Sequence, residues 1–423
     1  MKKIIWFVLA SVVICFSQTA PARADWLNQI HPYISVRGDY SDNLDLRKTN
    51  KREDFYFTVT PGVKFSNMTE QSGIDLDASV GGVFYDKYSA DNYVTGNVRL
   101  NAKYLTRSHF NFYLRGSYLR SDEPREAEFL TDASEYKQQL AELSQRSPYW
   151  RIVMEPTMEY QFGAESRIGV RYLYNLYNIK GITGEDSIEN TVTPFLTWWF
   201  NRQHGISLEY AYTYGDFEVS ENFNNHKVSA AYMYRITPKA TASLHGGYSR
   251  REFTPTGNDL YYEIYETAVG LSYALTQSFT VSGQAGYYWL DSRMGYNTNG
   301  VSFKGDLSHQ SEQTIVRLSI QGGYTEDYFT SQNLGFRKYY RATGTATHFL
   351  FRRLSVGVLG SAEQAEDAND NIDKIWSAGA NVSFMPFKWM TLSAGYTYRQ
   401  ADSDIVANEY EENRGMLTLT LTY

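Results

Sequence analysis

From about residue 31 the chain alternates apolar and polar residues with a period of two. Phe55, Phe57, Val59, Pro61, Val63 and Phe65 stand against Asp54, Tyr56, Thr58, Thr60 and Lys64. Ile74, Leu76, Ala78, Val80, Gly82 and Phe84 alternate with Asp75, Asp77 and Ser79, and Val94 to Tyr104 repeats the pattern against Asn97, Arg99, Asn101 and Lys103. The segments from Trp150 to Phe162 and from Phe279 to Trp289 do the same. Successive side chains of a strand point to opposite faces, so the pattern predicts strands with one apolar face. Each runs for about 10 to 13 residues. Soluble strands average about 5–6 residues, whereas a tilted strand needs about 9–11 to cross a bilayer.

The connections between these segments alternate in length. Short ones fall at Thr106-Arg107-Ser108, Ala164-Glu165-Ser166, Arg202-Gln203-His204, Pro238-Lys239, Thr276-Gln277, Arg352-Arg353 and Phe387-Lys388. Long polar ones span 41–53, 122–148, 178–187, 218–225, 254–260, 291–299, 366–372 and 401–410. Tight turns on the periplasmic side and longer outer loops are the habit of outer-membrane barrels. The pattern predicts an all-β fold: a transmembrane antiparallel up-and-down β-barrel of about 20 strands, or 18 if Val301 to Leu307 is loop. Closure follows from the solvent, since lipid offers no partner to an exposed strand edge. Aromatics near strand ends (Tyr85, Tyr88, Trp198, Trp199, Tyr287 to Trp289, Tyr396 and Tyr398) are expected to form girdles at the two membrane–water boundaries.

Composition narrows the field further. Of 423 residues 16% are aromatic, with 36 Tyr and 31 Gly but 10 Pro. A disordered chain would not carry so many aromatics. Past residue 24 no apolar run approaches the roughly 20 residues of a membrane helix. The excess of Tyr and Gly suits a large antiparallel β protein.

The first 24 residues have the form of a secretory leader: Lys2 and Lys3, an apolar stretch from Ile4 to Phe16, then Ala22-Arg23-Ala24 before Asp25. Residues 25–423 are expected to form one barrel domain in the bacterial outer membrane. The single Cys15 lies in the leader after Ile14, where a lipoprotein site would want a small residue. Without Lys2, Lys3 and Arg23 the chain carries 37 Lys and Arg against 47 Asp and Glu, which speaks against a nucleic-acid partner. The final strand alternates Leu417, Leu419, Leu421 and Tyr423 with Met416, Thr418, Thr420 and Thr422. This ending resembles the C-terminal signal by which outer-membrane proteins are handed to the barrel assembly machinery, although Phe is the more usual last residue.

The stretch Gly38-Asp39-Tyr40-Ser41-Asp42-Asn43-Leu44-Asp45-Leu46, followed by Glu53-Asp54-Phe55 and Thr60-Pro61-Gly62-Val63, resembles the β-barrel porin 2 group. It is similar also to outer-membrane proteins associated with exosortase and exopolysaccharide loci. Both have a Ser/Thr-Asp-Asn turn after the first strand, then an acidic residue and a Pro-Gly-containing second strand. The motif covers about thirty residues. The resemblance implies an outer-membrane barrel that serves surface-polysaccharide export, and it carries no catalytic residue across.

The polar side chains that could carry function lie on the inward face. The candidate lumen-lining residues are Arg37, Lys64, Arg99, Lys103, Arg115, Arg151, Glu155, Glu159, Arg171, Glu209, Arg235, Arg317 and Arg341, with Asp39, Asp75, Asp77, Glu266 and Arg399. A polar face of mixed sign suits a water-filled passage or a hydrogen-bonded plug. Of seven histidines, His245 is expected in mid-lumen; His226 with Glu221 and Ser220 near the outer rim reads as a solvated loop before a hydrolytic set. No metal-ligand spacing and no cofactor motif is present, and acidic loops such as Glu409-Glu411-Glu412 read as solvated charge. Residues 125–146 space Phe129, Ala133, Tyr136, Leu140 and Leu143 as an amphipathic helix in the third outer loop, expected either to narrow the lumen or to rest at the rim. The leading function is a porin-like channel for hydrophilic solutes or for polysaccharide. The alternative is a non-conducting barrel that displays loops to a polymer or an export partner. A hydrolase comes third, and no plug domain fits before Tyr33.

Overall fold

A computed structural model describes residues 29–122, 147–180, 185–254, 260–293, 297–326, 336–367 and 370–423. The predicted leader and the predicted helix at 125–146 lie outside the described residues. The rest is a run of long strands. The first five are β1 (Ile30–Ser41), β2 (Asp54–Met68), β3 (Ser72–Tyr85), β4 (Tyr93–Leu105) and β5 (Phe110–Ser121). Next come β6 (Tyr149–Gln161), β7 (Arg167–Ile179), β8 (Ser187–Trp199), β9 (His204–Phe217) and β10 (Asn222–Thr237). They are followed by β11 (Ala240–Thr254), β12 (Tyr261–Ala274), β13 (Phe279–Ser292), β14 (Thr298–Gln310) and β15 (Thr314–Thr325). The last are β16 (Arg337–Phe351), β17 (Leu354–Glu366), β18 (Ile372–Phe387), β19 (Met390–Ser403) and β20 (Tyr410–Thr422).

Each strand pairs antiparallel with the next, and β20 pairs with β1 from Tyr33↔Thr422 to Ser41↔Arg414. The sheet therefore closes into a 20-stranded barrel with no free edge. Val301 to Leu307 falls inside β14, which settles the count at 20 and removes the 18-strand alternative. The turn after β14 was hidden in the sequence, as was the one after β2. Neither contains Gly or Pro. Both are built by a hydroxyl: Ser72 N donates to Thr69 Oγ1 at 2.9 Å, and Thr314 N donates to Ser311 Oγ at 3.0 Å.

The alternation sorts side chains as expected. Ile34, Val36, Phe55, Phe57, Val80, Phe84, Ile168, Trp198, Leu244, Val269, Trp289, Ile320 and Trp376 are large, apolar and exposed on one face of their strands. A closed sheet has only two faces, so these form the outer surface. Leu417 and its alternates Leu419 and Leu421 share that face, opposite Thr418 and Thr420. Several girdle candidates do not. Tyr85 and Tyr288 are buried on the inward face, Tyr88 packs beside Tyr85, and Trp199 points inward under the Arg235 guanidinium, 4.2 Å from its ring centroid. Near the ends of these strands both faces are aromatic, and period-two counting cannot assign them.

Candidate functional site

Both chain ends of the barrel lie on the short-turn side, and the ten connections that follow odd-numbered strands, most of them longer, lie on the other. The interior differs sharply between these two ends. Toward the long-loop end, inward side chains are buried on strand after strand: Tyr56, Val83, Tyr93, Leu119, Tyr149, Tyr177, Phe217, Phe253, Leu290, Ile375 and Tyr410. Toward the short turns, Lys64, Arg115, Arg167, Lys304 and Arg317 are exposed to the lumen. Among the described residues the barrel is a cup, open at the short-turn end and filled at the other.

Among the described residues two segments do the filling. The first is the β1–β2 connection, whose Asn43, Leu44 and Leu46 have no exposure at all. Leu44 packs with Tyr56, Val83, Tyr85 and Tyr93 on β2 to β4, while Leu46 packs with Ile375, Ala401 and Tyr410 on β18 to β20. This loop thus crosses the seam between the last and first strands from the inside. Asn43 fixes its shape: Oδ1 accepts from Arg47 N at 3.0 Å, and Nδ2 donates to Arg47 O at 2.7 Å and to Glu411 O at 2.8 Å. Around it, Asn413 N and Nδ2 donate to the two oxygens of Asp42, both at 2.7 Å, and Ser41 Oγ donates to Glu412 Oε1 at 2.7 Å. Buried Asp39 accepts from Arg37 Nε at 2.7 Å and from Arg414 Nη2 at 2.8 Å. Ion pairs Lys48–Glu409, Lys51–Glu411 and Arg52–Asp91 hold the loop's outer side.

The second segment leaves β15. Ser249 Oγ on β11 donates to Glu326 at 3.2 Å and Arg251 Nη1 donates to Glu326 O at 2.8 Å, so the chain after β15 has turned inward past three strands. Phe336, just before β16, packs with Phe217, Phe223, Phe253, Tyr262, Ile264, Tyr288 and Leu290. The Phe336 ring stacks on Tyr324 at 5.8 Å, and the Arg251 guanidinium lies 4.2 Å from the Phe223 centroid. Sequence reasoning missed these inward aromatics. The available signal was that aromatic or aliphatic residues occupy both faces at the long-loop ends of β12 (Tyr261, Tyr262, Ile264, Tyr265) and β13 (Tyr287 to Leu290).

All the predicted lining residues occupy the face opposite the exposed apolar one, as their register shows. The structure brings some together. Lys64 Nζ is 3.8 Å from Asp77, Arg115 Nη1 is 3.8 Å from Glu155, and Arg167, which was not foreseen, is 3.5 Å from Glu159. Arg151 donates to Asn175 Oδ1 at 3.2 Å, and Arg171 lies over Phe195, beside Glu209 in register. Arg99 and Lys103 follow on β4. Arg235 reaches the short-turn rim, 2.6 Å from Glu165, and Arg341 is paired with Glu363 and largely buried. Arg317 stands apart on β15. Gly62 leaves room for the Tyr33 ring, with which a Cβ there would overlap, and Tyr33 in turn donates to Asp77 at 2.9 Å.

The histidine set at the rim is not assembled. His226 lies on the outward face and hydrogen-bonds Tyr210 at 2.7 Å, whereas Ser220 is bound to Glu185. His245 faces inward and contacts Ser243 Oγ at 2.8 Å. Outside the strands, Lys87 donates to Glu53 Oε1 at 2.8 Å; this bond and that from Tyr40 hold the Glu53 carboxyl below its ordinary pKa, and Glu53 raises that of Lys87.

No protein-family model and no curated protein matches the chain. Solved structures do. Pseudomonas aeruginosa OccK3 (OpdO) is 14% identical with a TM-score of 0.43, covering 94% of this chain and 97% of its own. Acinetobacter baumannii OccAB2 is 10% identical with a TM-score of 0.43, over 95% and 99%. Pseudomonas aeruginosa OprD is 8% identical with a TM-score of 0.39, over 94% and 95%. At that level of likeness the architecture rests on the chain's own strand pairing.

Proposed function

We propose that the protein is an outer-membrane β-barrel whose hydrated interior passes hydrophilic solutes. One observation carries this reading: the outward face exposes Trp, Phe, Leu, Val and Ile around a closed sheet, while the inward face toward the short turns exposes Lys and Arg. An apolar exterior suits hydrocarbon, and a charged interior suits water. Twenty strands enclose a wide bore, since diameter grows with strand number and barrels of about 16–18 strands already keep an aqueous channel. In this reading lipid contacts the outward face, the short turns are periplasmic, and Leu417, Leu419, Leu421 and Tyr423 address the chain to the barrel assembly machinery. The similarity of the Ser41-Asp42-Asn43 region to exopolysaccharide-associated barrels adds a polymer chain to the solutes considered as cargo.

The test is reconstitution into planar bilayers and, in parallel, liposome swelling with sugars of graded size. Discrete conductance steps and a size cut-off are expected. Protein shown to be folded by its heat-modifiable migration, yet silent in both assays, would overturn the channel in favour of a barrel that only displays its loops.

A further inference from the structure

We infer that the passage prefers anions and that carboxylated or phosphorylated solutes are its cargo class, an inference that rests on the channel reading above. The chain's net charge of −7 points the other way. What water meets inside differs from the bulk composition. Among the described inward-facing residues of the strands, Lys64, Arg99, Arg115, Arg167, Lys304 and Arg317 are exposed, and Asp75 is the one acidic residue in that class.

Three further inward carboxylates, Glu155, Glu159 and Asp77, sit behind a base. Glu155 is 28% exposed against 74% for Arg115, and Glu159 is 9% exposed against 54% for Arg167. Asp77 and Lys64 follow the same order, at 38% and 56%. The cause is reach. Asp and Glu are short and stay at the wall, where donors occupy them: Tyr33 on Asp77, Asn111 Nδ2 on Glu159 at 3.1 Å, and Ser319 on Asp306 at 2.8 Å. Lys and Arg carry their charge on longer stems and bring it into the water.

A permeating ion therefore meets a cationic fringe with its counter-charges set back, the arrangement by which Lys and Arg linings favour anions. Lys64, Arg99, Arg115 and Arg167 come from β2, β4, β5 and β7, so they form one arc of the wall. Along that arc either a small carboxylate or an acidic sugar polymer finds the same chemistry.

The reversal potential across a bilayer under a KCl gradient reads the preference directly. Chloride should exceed potassium several-fold near 0.1 M salt and fall toward parity near 1 M, because the screening length shrinks from about 10 Å to about 3 Å. Replacing Lys64, Arg99, Arg115 and Arg167 together by Gln should bring the ratio toward parity while conductance persists. If that variant does not insert, Arg115→Gln alone, at the most exposed of the paired bases, should move the ratio in the same direction by less. A conducting wild-type protein that is unselective or potassium-preferring at 0.1 M overturns the inference and leaves the channel standing; absence of conductance overturns both. Citrate and oligogalacturonate, added separately, distinguish the sources. Current block by citrate alone assigns free solutes, block by the oligomer at lower concentration assigns a polymer, and block by neither overturns the cargo class.

Discussion

Asn43 shows how much one side chain can specify. It is fully buried, spends both its amide ends on backbone, and ties the first loop to Glu411 across the seam. Asn43→Ala leaves those backbone groups unsatisfied, a loss of about 1–3 kcal/mol. It should appear as a lower temperature at which the folded band converts to the unfolded one in detergent gels, with Asp recovering part of it. Glu53 offers a titration at the same scale. Its pKa is depressed chiefly by the Lys87 hydrogen bond, so its contribution is present above the pKa of a free glutamate and fades as pH falls through its own lower value. Lys87, raised by Glu53, contributes below the ordinary lysine value and loses this as pH climbs through its higher one. Carboxyl NMR should place the Glu53 midpoint below that of free glutamate, and Lys87→Met should return it upward.

Strands were the most legible elements, because each needs only period-two alternation, and β2, β3, β4, β6 and β13 carry it over most of their length, losing it only at the long-loop end. Turns signalled by Pro, such as Pro238-Lys239, could be found as well. The Thr69–Ser72 and Ser311–Thr314 turns could not, since a hydroxyl bonding its own backbone leaves no composition mark. The first loop was legible as a connection, but not as an inward fold: a Leu-Asp-Leu sequence does not say which side of the rim it will choose. Its Leu44 and Leu46 do. Replacing both by Ser removes buried contacts worth about 2–5 kcal/mol apiece by the standard of Leu→Ala cavities. The loop should leave the lumen and the unit conductance should rise. The terminal element gives a different kind of test. Tyr423 has a 93% exposed residue surface, so its ring supports no packing. Tyr423→Ala should refold in detergent as the parent does, yet accumulate to a much lower level in the membranes of cells, which measures recognition apart from stability.

At the scale of the whole molecule, closure depends on a seam that strand pairing alone does not finish. Arg414 reaches across it to Asp39, which also accepts from Arg37 on its own strand, Asp42 grips Asn413, and the first loop spans it from within. The barrel and its two faces followed from alternation, because lipid and water impose opposite demands on neighbouring residues. The candidate site was half legible: which polar side chains face inward could be read from the alternation, but their depth could not. Which charges stand forward, and that the far end is packed with Phe217, Phe223, Tyr262, Tyr288 and Phe336, depends on contacts between strands far apart in sequence. That packed end has a physiological price tag of its own. If the barrel conducts, this stopper and not the width of the bore sets the largest molecule that crosses the envelope through it.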